Sequence, residues 1–308
     1  MRIARIFYLN RVLVILVLVV TSLNGKAQQG PQFTQFMYNN LVINPAYAGT
    51  EGAFSLTMIS RNQWSGVDKA PTTQSFSAHT LVKEKNIGLG VTILRDEIGV
   101  HRNLTALTSF AYHIKIKEQT FLSMGLQAGV ANLKSDYASL PGSSNDPKLT
   151  NSINETTLDI GAGIYYRSPR LHLGLSMPEL MSRAVNTSDT ISINFRRNTV
   201  LAYSRYRIPL SATFDAEPGL LVKYFPGLPL SYDVNLNFIY RRVLTVGVSY
   251  RKGESVDFIF KFQLTPQFQF GYAYDYPMSN SSRLGSGSHE IMIHYVFRNI
   301  HKGVATPR

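Results

Sequence analysis

From residue 53 to residue 298 the chain alternates apolar and polar side chains with a period of two, the repeat of a β-strand whose two faces meet different surroundings. Residues 267–275 set Phe268, Phe270, Tyr272 and Tyr274 against Gln267, Gln269, Gly271, Ala273 and Asp275. Residues 256–264 set Val256, Phe258, Phe260, Phe262 and Leu264 against Asp257, Lys261 and Gln263, and residues 232–240 set Tyr232, Val234, Leu236, Phe238 and Tyr240 against Asp233, Asn235 and Asn237. Earlier segments keep the apolar face but put small residues on the other, as with Gly125, Gly129, Gly161 and Gly163. The pattern predicts about fourteen strands, near 53–64, 72–82, 86–95, 103–116, 120–134, 156–167, 170–176, 194–206, 210–224, 230–241, 243–251, 255–264, 267–276 and 288–298. Pro218 cannot donate to a ladder, so a kink or bulge is expected in the ninth.

A soluble β-sandwich also alternates, so connection lengths have to separate the two architectures. Every even-to-odd connection is short: Glu84-Lys85, Lys117-Glu118, Ser168-Pro169, Ile208-Pro209, Arg242 and Thr265-Pro266. The longer connections are odd-to-even, at 135–155, 177–193 and 277–287, although those at 225–229 and 252–254 are short as well. Tight turns at one end and polar loops at the other imply an all-β, transmembrane antiparallel barrel with both ends of the sheet on the short-turn side. Tyrosines near predicted strand ends, among them Tyr165, Tyr203, Tyr206, Tyr224, Tyr240, Tyr250 and Tyr276, fit interfacial girdles.

Ahead of the strands, three arginines by position 11, the apolar run VLVILVLVV and the small residues flanking Lys26 read as a secretory signal peptide over 1–27. That run is too short for a membrane-spanning helix of about 20 residues. The formal charge is +12, which falls to +8 without the four cations of 1–27. These cations are spread through the sequence with no basic run and no recognition-helix pattern, so nucleic acid is not an expected partner. The chain has no cysteine, which excludes disulfides, thiolate metal sites and a lipobox, and leaves rigidity to the closed sheet.

Between leader and barrel, QFTQFMYNNLVINPAYAG from Gln32 fits neither a strand nor a leader. Asn44-Pro45 starts a turn, Gly49 suits positive φ, and Phe33, Phe36, Met37, Tyr38, Leu41, Ile43 and Tyr47 need burial. A plug-like segment over 28–52, docked on the barrel wall or lumen, is the expectation. The remaining divisions are the barrel at 53–298 and a tail at 299–308.

No catalytic constellation emerges. His289 and His294 are five apart and fall on opposite faces of the last strand, and Ser288-His289-Glu290 alternates faces and forms no triad by itself. GLGV at 88–91 and GAG at 161–163 lack the lysine and helix of a phosphate loop. The expectation is no enzyme, no cofactor and no metal. Trp64, the lone tryptophan, follows Arg61 at a strand end, and reads either as an interface anchor or as a docking residue.

NNLVINPAYAG, RNQW at 61–64, Ala70-Pro71-Thr72, GYAYDYP and GSHEIMIHYVF, in this order, resemble the PorP/SprF family of outer-membrane proteins of the type IX secretion system. The resemblance implies a location in the cell outer membrane and partners among its lipid, the translocon subunits and secreted cargo with a C-terminal sorting domain. It also implies a role as a cargo-paired accessory for secretion or surface anchoring, gliding-motility adhesins included. The positions that carry it, Asn44, Pro45, Ala46, Tyr47, Gly49, Arg61, Trp64, Pro71, Ser288, His289 and Glu290, are the candidate docking or signature residues. The Asn44-Pro45-Ala46 turn also resembles the plug region of FadL-type channels, so a passive channel for hydrophobic or small polar solutes is the alternative.

Overall fold

A computed structural model of the chain describes residues 32–139, 152–181, 184–188, 191–194, 198–278 and 285–297. The leader predicted at 1–27 and the tail at 299–308 lie outside them. Among the described residues there are seventeen strands: β1 (Phe54–Asn62), β2 (Thr72–Val82), β3 (Ile87–Ile98), β4 (His101–Lys117), β5 (Thr120–Ser135), β6 (Ile153–Arg167), β7 (Leu171–Met177), β8 (Ala184–Ser188) and β9 (Ile191–Asn194) come first. They are followed by β10 (Val200–Tyr206), β11 (Ile208–Pro209), β12 (Phe214–Tyr224), β13 (Ser231–Tyr240), β14 (Leu244–Arg251), β15 (Ser255–Gln263), β16 (Phe268–Pro277) and β17 (Ser288–Phe297).

Fourteen of these close into one antiparallel barrel. Each pairs with its neighbours in sequence, β7 pairs with β10 and β10 with β12, and β1 with β17 closes the ring. The strands β8 and β9 form a separate hairpin inside the connection from β7 to β10, and β11 is a two-residue continuation of β10 along β12. All fourteen barrel strands overlap segments read from the alternation. The largest boundary difference is at β10, which starts at Val200 rather than near 194.

The radial order of polarity is inverted relative to a soluble protein. Leu126 and Leu158 are each 64% exposed on the outer wall, whereas Asp257 and Glu290 are 0% exposed inside. An outside of Leu, Val, Ile and Phe around an inside of Ser, Thr, Asn, Asp and Arg suits hydrocarbon outside the sheet, because strands in lipid must satisfy every backbone group by pairing.

Two expectations are corrected. Tyr165 and Tyr203 do not belong to an interfacial girdle; they face inward, 1% and 5% exposed, with rings 6.3 Å apart. Their register positions place them on the polar face, where an aromatic ring can pack against something inside the barrel. Pro218 makes no bulge: β12 and β13 stay in register from Phe214↔Tyr240 to Lys223↔Ser231. The missing donor is accommodated on the other edge, where pairing with β12 lapses between Arg205↔Gly219 and Ile208↔Ala216.

Candidate functional site

Residues 33–50 lie inside the barrel as three successive 3-10 turns, Phe36–Tyr38, Asn40–Val42 and Pro45–Tyr47. The third is set by its own sequence. The Asn44 side chain accepts from Ala46 N–H at 2.9 Å, Pro45 occupies the first position of the turn, and Gly49 leaves it at φ 78°. Phe33, Phe36, Met37, Leu41, Ala46 and Ala48 are buried against the wall, with Phe36 edge-on to Tyr203 and Tyr47 edge-on to Tyr165.

The wall makes room at glycines. A Cβ on Gly88 would overlap the Ala48 carbonyl, one on Gly125 the backbone of Pro45 and Ala46, and one on Gly163 the Asn44 side chain. Asn44 Nδ2 donates to the Ile164 carbonyl at 3.0 Å, and Ser176 Oγ donates to that of Ile43 at 2.5 Å.

Toward the long-loop end, the segment is held by an ionic cluster. Thr34 N–H and Gln35 N–H donate to the two carboxylate oxygens of Glu290, each at 2.8 Å. Thr34 Oγ1 donates to Asp275 at 2.8 Å and accepts from Arg61 at 3.0 Å and Arg251 at 3.1 Å. Arg61 bridges Asp275 at 2.6 Å and Glu290 at 3.3 Å. Arg251 meets Asp275 and Asp233, both at 3.3 Å, and Lys223 ties Asp233 to the Gln32 side chain, each contact at 2.8 Å. Adding Asp257, 3.8 Å from Arg251, four carboxylates surround three cations, so the two backbone N–H groups complete the donor set.

Toward the short-turn end, His113 Nε2 lies 2.8 Å from the Ala48 carbonyl, Gly49 N–H donates to His79 Nδ1 at 3.2 Å, and Arg167 donates to the Thr50 carbonyl at 2.6 Å. Glu51 sits 3.3 Å from His294 and 3.8 Å from His79. Burial alone would raise the Glu51 carboxyl, but the hydrogen bond and charge of His294, with His79 behind it, outweigh that and hold it at about 2.

The structure divides the residues singled out in the sequence. Asn44, Pro45, Ala46, Tyr47 and Gly49 form the lower turn of the inner segment. Arg61 and Glu290 are register partners and anchor its upper end. Trp64, Pro71 and Ser288 belong to the outer connection instead: Trp64, at φ 51°, donates its N–H to Ser288 Oγ at 3.3 Å, and the Pro71 carbonyl accepts from Gln63 N–H at 2.9 Å. His289 faces outward between Tyr272 and Tyr274, with Nδ1 2.7 Å from the Tyr272 hydroxyl. Thr34, Gln35, Arg251 and Lys223 went unnoticed. Asp233, Asp257 and Asp275 were visible as polar-face residues, and their shared height near the long-loop ends of β13, β15 and β16 was the available signal. Among the described residues, no group of three or more His, Cys, Asp or Glu is placed to hold a metal ion.

A closed barrel, apolar outside and ionic inside, is an outer-membrane β-barrel protein. Its similarity to solved barrels is distant. Omp33 of Acinetobacter baumannii matches over 80% of this chain and 98% of its own at 9% identity and a TM-score of 0.48. The CymD monoaromatic hydrocarbon channel matches over 92% and 98% at 12% identity and 0.47, and a Pseudomonas aeruginosa FadL homologue over 80% and 90% at 10% identity and 0.43. No curated protein sequence matches the chain. The family model of the type IX secretion system membrane protein PorP/SprF matches residues 25–295, and the chain belongs to that family. It is thus an outer-membrane component of type IX secretion, and the short-turn end of the barrel faces the periplasm.

Proposed function

We propose that the protein is a cargo-paired accessory of the type IX system, which receives or anchors the C-terminal sorting domain of particular secreted partners at the outer membrane. In this reading the segment expected at 28–52, of which the structure describes 32–52, plugs the lumen, and the barrel is a docking platform rather than a solute pore. The observation that carries the reading is the inner segment of a type IX family member: its polar contacts reach Glu290 on β17, Arg61 on β1, His79 on β2, Ile164 on β6, Ser176 on β7 and Lys223 on β12. A segment fixed around the circumference leaves the barrel suited to holding a partner at its outer face. Arg61 and Glu290 then act by seating the segment, and Trp64, Pro71 and Ser288 by shaping the outer connection that a partner meets.

Protease shaving of intact wild-type and deletion cells tests this. Deletion is expected to remove one or a few large proteins from the surface while general permeability stays unchanged. An unchanged surface profile together with slower uptake of a hydrophobic or small polar solute would establish the channel alternative instead.

A further inference from the structure

The hairpin between β13 and β14 turns through Arg241 and Arg242, both exposed and both at positive φ, 48° and 57°. Val243 N–H closes it onto the Tyr240 carbonyl at 2.9 Å. A hairpin with two left-handed central residues favours Asn-Gly, so a pair of arginines strains the backbone where a small pair would not. Strain of this kind at a charged turn points to a use for the charge.

What the charge faces follows from its neighbours. Tyr240 ends the outward series Tyr232, Val234, Leu236, Phe238 and Tyr240, and the Arg241 guanidinium lies over its ring, 5.3 Å from the centroid. Arg241 is therefore directed along the lipid-facing wall and not across the lumen. Backbone bonds join this turn to the turns on either side, Arg241 N–H to the Thr213 carbonyl at 2.7 Å and Gln263 N–H to the Val243 carbonyl at 2.8 Å. Together the three turns, 208–213, 241–243 and 264–267, contain two cations, no acid, and the hydroxyls of Ser211, Thr213 and Thr265. They also leave Leu210, Val243 and Leu264 59%, 42% and 53% exposed, which suits immersion in a membrane interface better than contact with water. The acids at the foot of β12, Asp215 and Glu217, are on its inward face, where Glu217 is held by Arg205 and Arg207. Neither arginine of the turn forms an ion pair among the described residues.

Depth in the bilayer agrees with this. At the other end of the same strand, Lys252 Nζ lies 5.5 Å from the centroid of the outward Tyr232 ring. Tyr232 and Tyr240 are eight residues apart, about 27 Å along a strand and about 19–22 Å along the membrane normal at a tilt of 35–45°. That is close to the apolar band of about 25 Å expected of such a barrel. Two cation-capped tyrosines thus bracket the band, and Arg241 stands at headgroup height on the periplasmic side.

We propose that the rim formed by these three turns binds the phosphate of an anionic phospholipid in the inner leaflet, with Arg241 and Arg242 on the headgroup and Leu210, Val243 and Leu264 against its glycerol and upper acyl carbons. The site is on the outer wall, so it depends neither on the inner segment nor on which partner the barrel serves.

Native mass spectrometry of the full-length protein, ejected from nanodiscs of equal parts phosphatidylglycerol and phosphatidylcholine, reads the lipids that stay bound. Wild type is expected to retain phosphatidylglycerol in preference to phosphatidylcholine. Arg241→Asn/Arg242→Gly should lower that preference by about tenfold or more, the scale set by two cations near an anionic surface. The Asn-Gly pair relieves the turn, so heat-modifiable barrel should be retained and lost lipid cannot be put down to a damaged fold. Lys83→Gln/Lys85→Gln, an equal loss of charge in the turn between β2 and β3, should leave the preference intact. No preference in wild type, an unchanged preference in the arginine variant, or an equal fall in the lysine control would each overturn the proposal. So would displacement of the bound lipid by decaglutamate or by inorganic phosphate at constant ionic strength, which would assign the arginines to an acidic polypeptide or to a free anion.

Discussion

Gly125→Ala is the smallest change that tests whether residues 33–50 are fixed as described. The new Cβ would overlap backbone atoms of Pro45 and Ala46, which cannot rotate away as a side-chain tip can. Inserting a methyl group into a packed interior costs about 1–3 kcal/mol. Gly88→Ala strikes the Ala48 carbonyl in the same turn, so the pair adds to about 2–6 kcal/mol. Opposing this are the five hydrogen bonds that tie residues 43–50 to Ile164, Ser176, His113, His79 and Arg167, each worth a net ~0.5–1.5 kcal/mol. The double variant therefore brings the lower turn close to release. The single variant raises the displaced fraction by about 5- to 150-fold. Gly90→Ala is the matched control, because its Cβ meets no backbone atom: Leu41 at 3.1 Å can change rotamer, and the Ala48 Cβ at 3.4 Å is at ordinary contact distance. Planar-bilayer conductance and protease cleavage within 32–50 should rise in the order wild type, Gly90→Ala, Gly125→Ala, double variant, with heat-modifiable barrel retained throughout. Equal conductance and equal protection in all four would refute the packing argument and the plug with it.

Phe260→Lys, at an outward site in β15, should cost about 2–4 kcal/mol at the bilayer midplane and abolish outer-membrane insertion, whereas the inward Gln269→Asp should be mild; similar losses in heat-modifiable protein would contradict the assigned faces. Arg61→Ala strips Asp275 and Glu290 of their shared cation and should destabilise the barrel by about 3–5 kcal/mol, against about 1–3 for Thr34→Val, read as the shift in gel-shift unfolding temperature. Glu51 has a folded value of about 2 below an ordinary 4.5, so its contribution is complete above pH 4.5 and fades as pH falls toward 2. Protease protection of residues 32–50 should decline across that window in wild type, and Glu51→Gln should flatten the decline.

The wall of this barrel was legible in the sequence because each strand carries its own evidence. Alternation in β13, β15 and β16 needs no knowledge of neighbours, and β2 matches its predicted bounds, Thr72–Val82. The interior was legible only in part, since its contacts join residues far apart in the chain. Nothing local to Thr34 announces a bond to Glu290, 256 residues away. The wall glycines Gly125 and Gly163 were recognised as small polar-face residues, but only the packed structure shows that they leave space for Ala46 and Asn44. Tyr165 and Tyr203 were misassigned because tyrosine near a strand end suits both an interface and a lumen, and the residue type does not choose between them.

The anchor at Thr34 and Gln35 also sets the order of assembly. These residues are synthesised before any strand, whereas Glu290 and Asp275 belong to the last two. A barrel closed in advance would have to admit Phe33, Phe36 and Met37 end-on past buried charges, so the segment must already be inside when the β1–β17 seam forms. That seam comprises nine register pairs, Arg61↔Glu290 among them, so the final ladder and the ionic cluster form in the same event. Loop closure over nearly the whole chain makes this step slow and gives it a large share of the folding barrier. Until it happens, β1 and β17 are two open edges with an uncovered apolar face, the form most exposed to aggregation and to periplasmic proteolysis.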